Sequence, residues 1–328
     1  MQRRLAMMAA ILCAAPAVRA KAPPERPRLA VVLVVDQLRY DYFQRLGKFL
    51  PEGGMRRLMS GASYSDAHFR YANTYTGPGH ATILTGAYSN RTGIVGNKLW
   101  DAASGRMVQP CDDADTHLLG CPPGSQGASP HRLEASTVGD ELRQQDKRSK
   151  MIAISLKDRA SILLAGRRGQ AVWFDRGQGR FVSSTYYGEA LVGWAEAYNS
   201  GLGPAADFDQ TWDRQGPAEA YEQATADDVP WETPYAGLGR TFPRKVRGAN
   251  NKVDTSFYKA WSASPFSMRA QLKVTQAAIE AEGLGKDEHP DLLAVSVSTF
   301  DYSGHAYGPY SHEQTSNYFA LDNFVRGL

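Results

Sequence analysis

Residues 29–36 read LAVVLVVD. Seven apolar residues, four of them valine, run without a polar break and stop at Asp36. β-Branched side chains pack well on a pleated surface, and an unbroken apolar run marks a strand buried on both faces, as in a parallel sheet. Two more runs of this kind follow, KMIAISL (150–156) and DLLAVSVS (291–298). Segments with helical spacing surround them: DYFQRLGKFLPEGGMRRLM (41–59), interrupted by Pro51 and the Gly53-Gly54 pair, STVGDELRQQ (136–145), and SMRAQLKVTQAAIEAEGLG (267–285), which glycine stops. AVWF (171–174) and RFVSSTYY (180–187) read as strands around a glycine turn, and the closing HEQTSNYFALDNFVRGL reads as a helix. Strands alternating with helices predict an α/β fold, a mostly parallel sheet flanked by helices. Residues 101–130, rich in Asp, Gly and Pro, read as a polar loop. The irregular stretch from about 190 to 265, with Trp194, Trp212, Trp231 and Trp261, reads as an aromatic-rich insert that caps a site.

The 328 residues are 42% hydrophobic and 22% charged, an ordinary globular composition with length for a sizeable core. Residues 1–20 differ. Arg3 and Arg4 precede an apolar run from Leu5 to Val18, and Val18-Arg19-Ala20 resembles a small-x-small cleavage site, the pattern of a secretory signal peptide. An apolar run of about 14 residues is shorter than the roughly 20 needed to span a bilayer, so no stable membrane anchor is expected. Leu12 before Cys13 fits a lipid-attachment site poorly. KAPPERPR (21–28) reads as a linker, which leaves 29–328 as one domain with its insert. Cleavage after Ala20 removes three arginines and takes the formal charge from +3 to zero, which argues against a nucleic-acid partner. Cys111 and Cys121 remain, in the polar loop of an exported protein, and are expected to pair as a local disulfide. A zinc site there is disfavoured, because no paired CxxC accompanies them.

In open α/β sheets ligands bind beyond the carboxyl ends of the strands. Asp36, Lys157 and Asp301 each lie just past a predicted strand. An aspartate there also caps turns, but Asp301 has His305 four residues on, in DYSGH. That spacing sets oxygen and nitrogen donors on one side of a turn, a mixture that suits zinc. In TYTGPGHATILTG (74–86), Thr76 precedes Gly77-Pro78-Gly79, and a helix is predicted from about Pro78 to Leu84, ended by Gly86. As a cap Thr76 is structural. As a site residue it presents a hydroxyl at a helix N-terminus, where anions bind. A free alcohol is a poor nucleophile that a divalent metal can activate. In SLKDRASIL (155–163), Lys157 and Arg159 alternate across Asp158 and in an extended segment face one side, a point charge and a planar fork for phosphate oxygens. Asn97, in GIVGNKLWD (93–101), has an amide able to donate to such an oxygen. Singly, each of these also reads as an ordinary turn or solvated loop.

Together, VVLVVDQLRYDY, TYTGPGHATILTG, NRTGIVGNKLWD, SLKDRASIL and STFDYSGHAYGP resemble the alkaline phosphatase superfamily. The likeness is to its exported bacterial branch with a threonine nucleophile and a Lys-x-Arg pair, related to the type I phosphodiesterase/nucleotide pyrophosphatase group. The stretches occur in family order across residues 29–310. The resemblance implies a zinc-dependent phosphatase that hydrolyses small phosphate monoesters through a phosphothreonine, with two zinc ions per complete site. Asp36 and Thr76 would meet one zinc, and Asp301 and His305 the other. Asn97, Lys157 and Arg159 would hold the phosphoryl oxygens. His80 is expected to support the site, while His68, His117, His131, His289 and His312 receive no role. Family members supply further Asp and His ligands after the point matching Leu328. The remaining ligands are therefore expected beyond Leu328, and the sequence resembles a C-terminally truncated member, inactive alone. A phosphodiesterase or nucleotide pyrophosphatase on the same scaffold is the alternative; Lys157 and Arg159, able to engage the extra anionic oxygen of a monoester, favour the monoesterase. A non-catalytic exported binding protein is the reading from another class. A sulfatase is disfavoured, since no C-x-P-x-R motif occurs.

Overall fold

The three long apolar runs become neighbouring parallel strands in a computed structural model that describes residues 26–328. The signal-peptide pattern and most of the expected linker lie outside the described residues. Along the chain come β1 (Leu29–Val35), α1 (Thr76–Thr85), β2 (Asp112–Leu119), β3 (Gln126–Ala128), α2 (Val138–Gln145), β4 (Met151–Ser155), α3 (Asp158–Ala165), β5 (Gln170–Asp175), β6 (Arg180–Ser184), α4 (Pro265–Glu282), β7 (Asp291–Val297), α5 (Thr299–Tyr307) and α6 (His312–Gly327), with shorter elements between. The main sheet runs β1-β7-β4-β5-β6-β2-β3. Its first four strands are parallel and the rest join antiparallel.

Alternating residues of the central strands feed two cores. Ile152, Ile154, Leu293, Val295 and Phe174 face α4, α5 and α6. Met151, Ala153, Leu292, Ala294 and Trp173 face the other layer, where Ala81 and Leu84 of α1 meet Ile162–Ala165 of α3. With both faces covered, these strands are apolar throughout, and every residue of β4 and β7 is buried. β1 departs from the expected burial. It pairs only with β7 among the described residues, at the end of the sheet, and Val31 is 44% exposed.

The expected polar loop at 101–130 contains strands. Leu99–Asp101 pairs with Arg106–Val108, and β2 and β3 extend the main sheet. The β2 sequence DDADTHLL has no apolar alternation because most of the strand is half-buried or exposed. The same strand separates the two cysteines, which are both free. Eight extended residues at about 3.3 Å each hold Cys111 and Cys121 far beyond the roughly 7 Å Cα separation that a disulfide tolerates.

In the expected insert, Trp194, Trp212 and Trp261 are buried in the first core, whereas Trp231 is exposed. The Thr233 amide donates to the Ala306 carbonyl at 2.9 Å, and a buried Arg244–Glu313 ion pair of 2.6 Å ties the segment to α6. Glu232 lies beside that pair, only 4% exposed.

Candidate active site

The carboxyl ends of β1, β7 and β4 place three charged side chains together. β1 and β7 stay in register to Val35 and Val297, and the Asp36 amide continues the ladder onto the Val297 carbonyl at 3.0 Å. The chain then turns at Gln37, whose φ of 66° is left-handed, an uncommon conformation for a residue with a side chain. After β7 the chain enters α5, where Asp301 stands in the first turn and His305 one turn later. His305 Nε2 is 3.2 Å from Asp301 Oδ1, the juxtaposition that the spacing predicts. After β4, Lys157 is the N-cap residue of α3. The Lys157–Arg159 segment is therefore a strand-to-helix turn and not extended, because Asp158 and Arg159 already belong to the first helical turn.

Lys157 points inward, with its side chain 2% exposed. Its Nζ is 2.7 Å from Asp36 Oδ2, pairs with Asp301 Oδ2, and lies 3.3 Å from Thr76 Oγ1. Burial alone would raise the Asp36 pKa. The Lys157 charge and the hydrogen bonds from Lys157 and Thr76 outweigh it and hold Asp36 below the ordinary carboxylate value.

Thr76 is the first residue of α1, two residues earlier than the sequence suggests, and Gly86 ends the helix at φ 64°. Its hydroxyl donates to Asp36 Oδ2 at 3.0 Å. The free N–H groups of this helix end face the same region. Gly77 N–H donates to Asn97 Oδ1 at 2.8 Å, which fixes the amide so that its Nδ2 donors are left for another partner. His80, fully buried, stays out of the cavity. The Thr76 carbonyl can only accept, so His80 Nδ1 carries the proton at 2.8 Å and Nε2 accepts from the Ser296 hydroxyl at 2.8 Å. Burial pushes this imidazole below its ordinary pKa, so it is neutral. His80 thus pins the first turn of α1 to β7.

Asp36, Thr76, Asn97, Asp301 and His305 line a cavity of about 730 Å³. Arg159 lies one step away, in an adjoining recess that it shares with Lys157. Its guanidinium is 3.5 Å from Asp158, and its buried Nε has no hydrogen-bond partner among the described residues. Gln37, Tyr75 and Lys98 also line the cavity and escaped the sequence reading. Tyr75 and Lys98 adjoin Thr76 and Asn97, which was the available signal; Gln37 has none, since its backbone conformation decides its position. The remaining histidines go elsewhere: His68 pairs with Asp66, His131 with Asp113, His289 with Asp146 and His312 with Asp227, and His117 is exposed on β2.

The donor types suit a divalent cation, although among the described residues no three His, Cys, Asp or Glu side chains are grouped closely enough to hold one. Two carboxylates from different strand ends converge on one ammonium, so the fold already concentrates negative charge at one point, with a hydroxyl and an imidazole beside it. Carboxylate, hydroxyl and imidazole are ligands for a metal of the zinc type.

Fold and site together define a member of the alkaline phosphatase superfamily. Within it, residues 30–328 match the type I phosphodiesterase / nucleotide pyrophosphatase family, and the chain belongs to that family. It is 37% identical over 301 residues to alkaline phosphatase PhoV of Synechococcus elongatus, covering 90% of this chain and 54% of that protein. Alkaline phosphatase PafA of Elizabethkingia meningoseptica is 35% identical over 302 residues, covering 90% of this chain and 55% of that protein. The wild-type PafA crystal structure matches with a TM-score of 0.84 and 34% identity, over 93% of this chain and 59% of that chain. A PafA variant with one threonine, one asparagine, one lysine and one arginine substituted matches at 33% identity with a TM-score of 0.86, over the same shares. The chain spans about half the length of the curated relatives it matches.

Proposed function

We propose that these residues form the nucleophile side of a metal-assisted phosphatase for small phosphate monoesters. The observation that carries this reading is the hydroxyl of Thr76, a buried residue at a helix N-terminus, 3.0 Å from Asp36 and 3.3 Å from Lys157. Thr76 Oγ attacks phosphorus in line with the ester oxygen, Asp36 accepts the hydroxyl hydrogen, and the P–O bond to the alcohol breaks. The alcohol leaves with a proton from solvent, and the phosphoryl group rests on Thr76. Water then cleaves this phosphothreonine, which releases inorganic phosphate and restores the hydroxyl, and Asp36 returns its proton to solvent. The α1 N-terminus, the Asn97 amide, Lys157 and Arg159 hold the phosphoryl oxygens, the positioning and charge neutralisation that dominate phosphoryl transfer. Asp36, Thr76, Asp301 and His305 would hold zinc, which when bound supplies the Lewis acidity that favours ionisation of the alcohol. Four donors are half of what two four-coordinate ions require.

The comparisons lend support. The substituted Thr, Asn, Lys and Arg of the PafA variant have the same Thr-to-Asn separation and Lys-x-Arg spacing as Thr76, Asn97, Lys157 and Arg159. The signal-peptide pattern at 1–20 supports action outside the cytoplasm, and among the described residues no helix is long and apolar enough to cross a membrane.

The test uses the full-length protein. Acid quenching during turnover of p-nitrophenyl phosphate, followed by peptide mass spectrometry, is expected to place the phosphoryl group on Thr76. Thr76→Ala is expected to lower kcat/KM by about 10⁴-fold or more. p-Nitrophenyl phosphate should be preferred over bis-p-nitrophenyl phosphate, with Lys157→Ala narrowing the gap. A phosphoryl group on another residue, or a rate unchanged by exhaustive chelation, would refute the reading.

A further inference from the structure

β4 and β5 are parallel neighbours, so their carboxyl ends open on the same side as the cavity. Between them lies a separate recess of about 350 Å³, whose walls include Lys157, Arg159, Arg176, Lys259 and Tyr302. Tyr302 is buried, and its hydroxyl donates to the Leu156 carbonyl at 3.3 Å. Two cations share this ring. Lys157 Nζ lies 5.1 Å from its centroid, and the Arg176 guanidinium carbon lies 4.5 Å from it.

The two cations differ in their partners. The Lys157 charge is taken up by Asp36 and Asp301. Arg176 is half-buried, stacks on the ring and donates to the Tyr235 hydroxyl at 3.3 Å, and it has no carboxylate partner among the described residues. Lys259, on the helix Thr255–Ser262, likewise has no ion pair among the described residues. The carboxylates in the recess are engaged elsewhere: Asp175 accepts from the Gly177 and Gln178 amides, and Asp158 faces Arg159. A half-buried guanidinium without a counter-ion, beside a second free ammonium, leaves unbalanced positive charge in a concave polar site.

We propose that this recess binds a second anionic group of the substrate, a carboxylate or phosphate carried by the same molecule as the scissile phosphate, with Arg176 as the specificity-determining residue. The preferred substrate class is then a phosphate monoester bearing another anion, bridged between Arg159 and Arg176 across the face of Tyr302. This rests on the phosphoryl-binding reading of Lys157 and Arg159.

Equilibrium binding to the full-length, metal-loaded protein separates the two. Propylphosphonate probes the phosphoryl site alone; 3-phosphonopropionate has the same reach with a carboxylate at its end. Calorimetry is expected to show 3-phosphonopropionate binding at least about tenfold tighter, as a charge-assisted hydrogen bond allows. Arg176→Met should remove that advantage and leave propylphosphonate affinity within about twofold, at unchanged Tm. Lys259→Met, on an exposed helical position, should reduce the advantage in part and serves where Arg176→Met fails to fold. Equal binding of both ligands by the unmodified protein overturns the recess proposal while leaving the phosphoryl site intact. An advantage that survives both substitutions also overturns it. Failure of propylphosphonate to bind at all overturns the phosphoryl-site reading, and this proposal with it.

Discussion

Replacing Gly77 by alanine places one methyl group against the loop that presents Asn97. A Cβ there meets the Gly96 carbonyl oxygen at 3.0 Å, Asn97 Oδ1 at 3.3 Å and Ile94 Cγ2 at 3.4 Å, so the loop must retreat by a few tenths of an ångström. The 2.8 Å bond from Gly77 N–H to Asn97 Oδ1 stretches with it, and the amide loses the partner that orients it. Backbone conformation is no obstacle, since Gly77 is helical, and alanine is favoured over glycine in a helix by up to about 1 kcal/mol. That gain offsets part of the overpacking, about 1–3 kcal/mol, so the protein stays folded. In its proposed role, a hydrogen bond from Asn97 to a charged phosphoryl oxygen would contribute about 1.5–3 kcal/mol, and its loss is expected to lower kcat/KM by about 10–100-fold. The assay is p-nitrophenyl phosphate hydrolysis by full-length Gly77→Ala, Asn97→Ala and the double variant. Each single change should cause a loss in that range, and the double should be no worse than Asn97→Ala alone. If the two losses multiply in the double variant, the glycine acts through something other than Asn97, and the reasoning fails.

Glu232 is buried, its Oε2 lacks a hydrogen-bond partner among the described residues, and burial, with Glu313 nearby, raises its pKa from 4.5 to about 8. The folded protein therefore binds more protons than the unfolded chain between those values. Stability should fall as pH rises through that window, with the full loss present above about pH 8. Glu232→Gln should flatten this slope and stabilise the alkaline form by a few kcal/mol, since each tenfold change in proton affinity is worth about 1.4 kcal/mol. Denaturant melts from about pH 5 to 9 check it, and parallel slopes in the two proteins would contradict it. Gly304→Ala drives a Cβ into the side-chain amides of Gln37 and Gln314, so a loss of about 1–3 kcal/mol is expected. Adding Gln37→Ala should recover part of it, as read in the same melts. Asp140 accepts from the Thr137 and Arg168 amides at 2.9 and 2.7 Å, so Asp140→Ala should cost about 2 kcal/mol in urea unfolding and leave kcat/KM unchanged.

The parallel centre was legible because burial on both faces leaves strands apolar at every position, as in β4 and β7. β1 carries the same signature at the sheet end, so composition alone could not report its exposure. β2 was hidden because a strand that is half-buried or exposed along most of its length has no apolar period to detect. Strand order was equally silent, since β7, distant in sequence, inserts between β1 and β4. At the site, residue types and spacings identified Asp301 with His305 and placed Thr76 at its helix start. Direction was another matter. Lys157 turns into the carboxylates while Arg159 faces the recess, a difference that belongs to the strand-to-helix turn. The arrangement of Gln37 and the role of Gly77 depend on contacts between segments far apart in the chain.

Adjacent strands keep a main-chain pitch of about 4.8 Å, and Asp36, the entry to α5 and Lys157 stand at the ends of three successive rungs. The separation of the reactive charges is thus gauged by peptide hydrogen bonds, which no side-chain substitution on the surrounding loops can rescale. Rim residues can drift while this gauge holds. A one-residue slip of β7, in contrast, would carry Asp301 about 3.3 Å along its neighbours and invert the faces of the strand, disabling chemistry and core together.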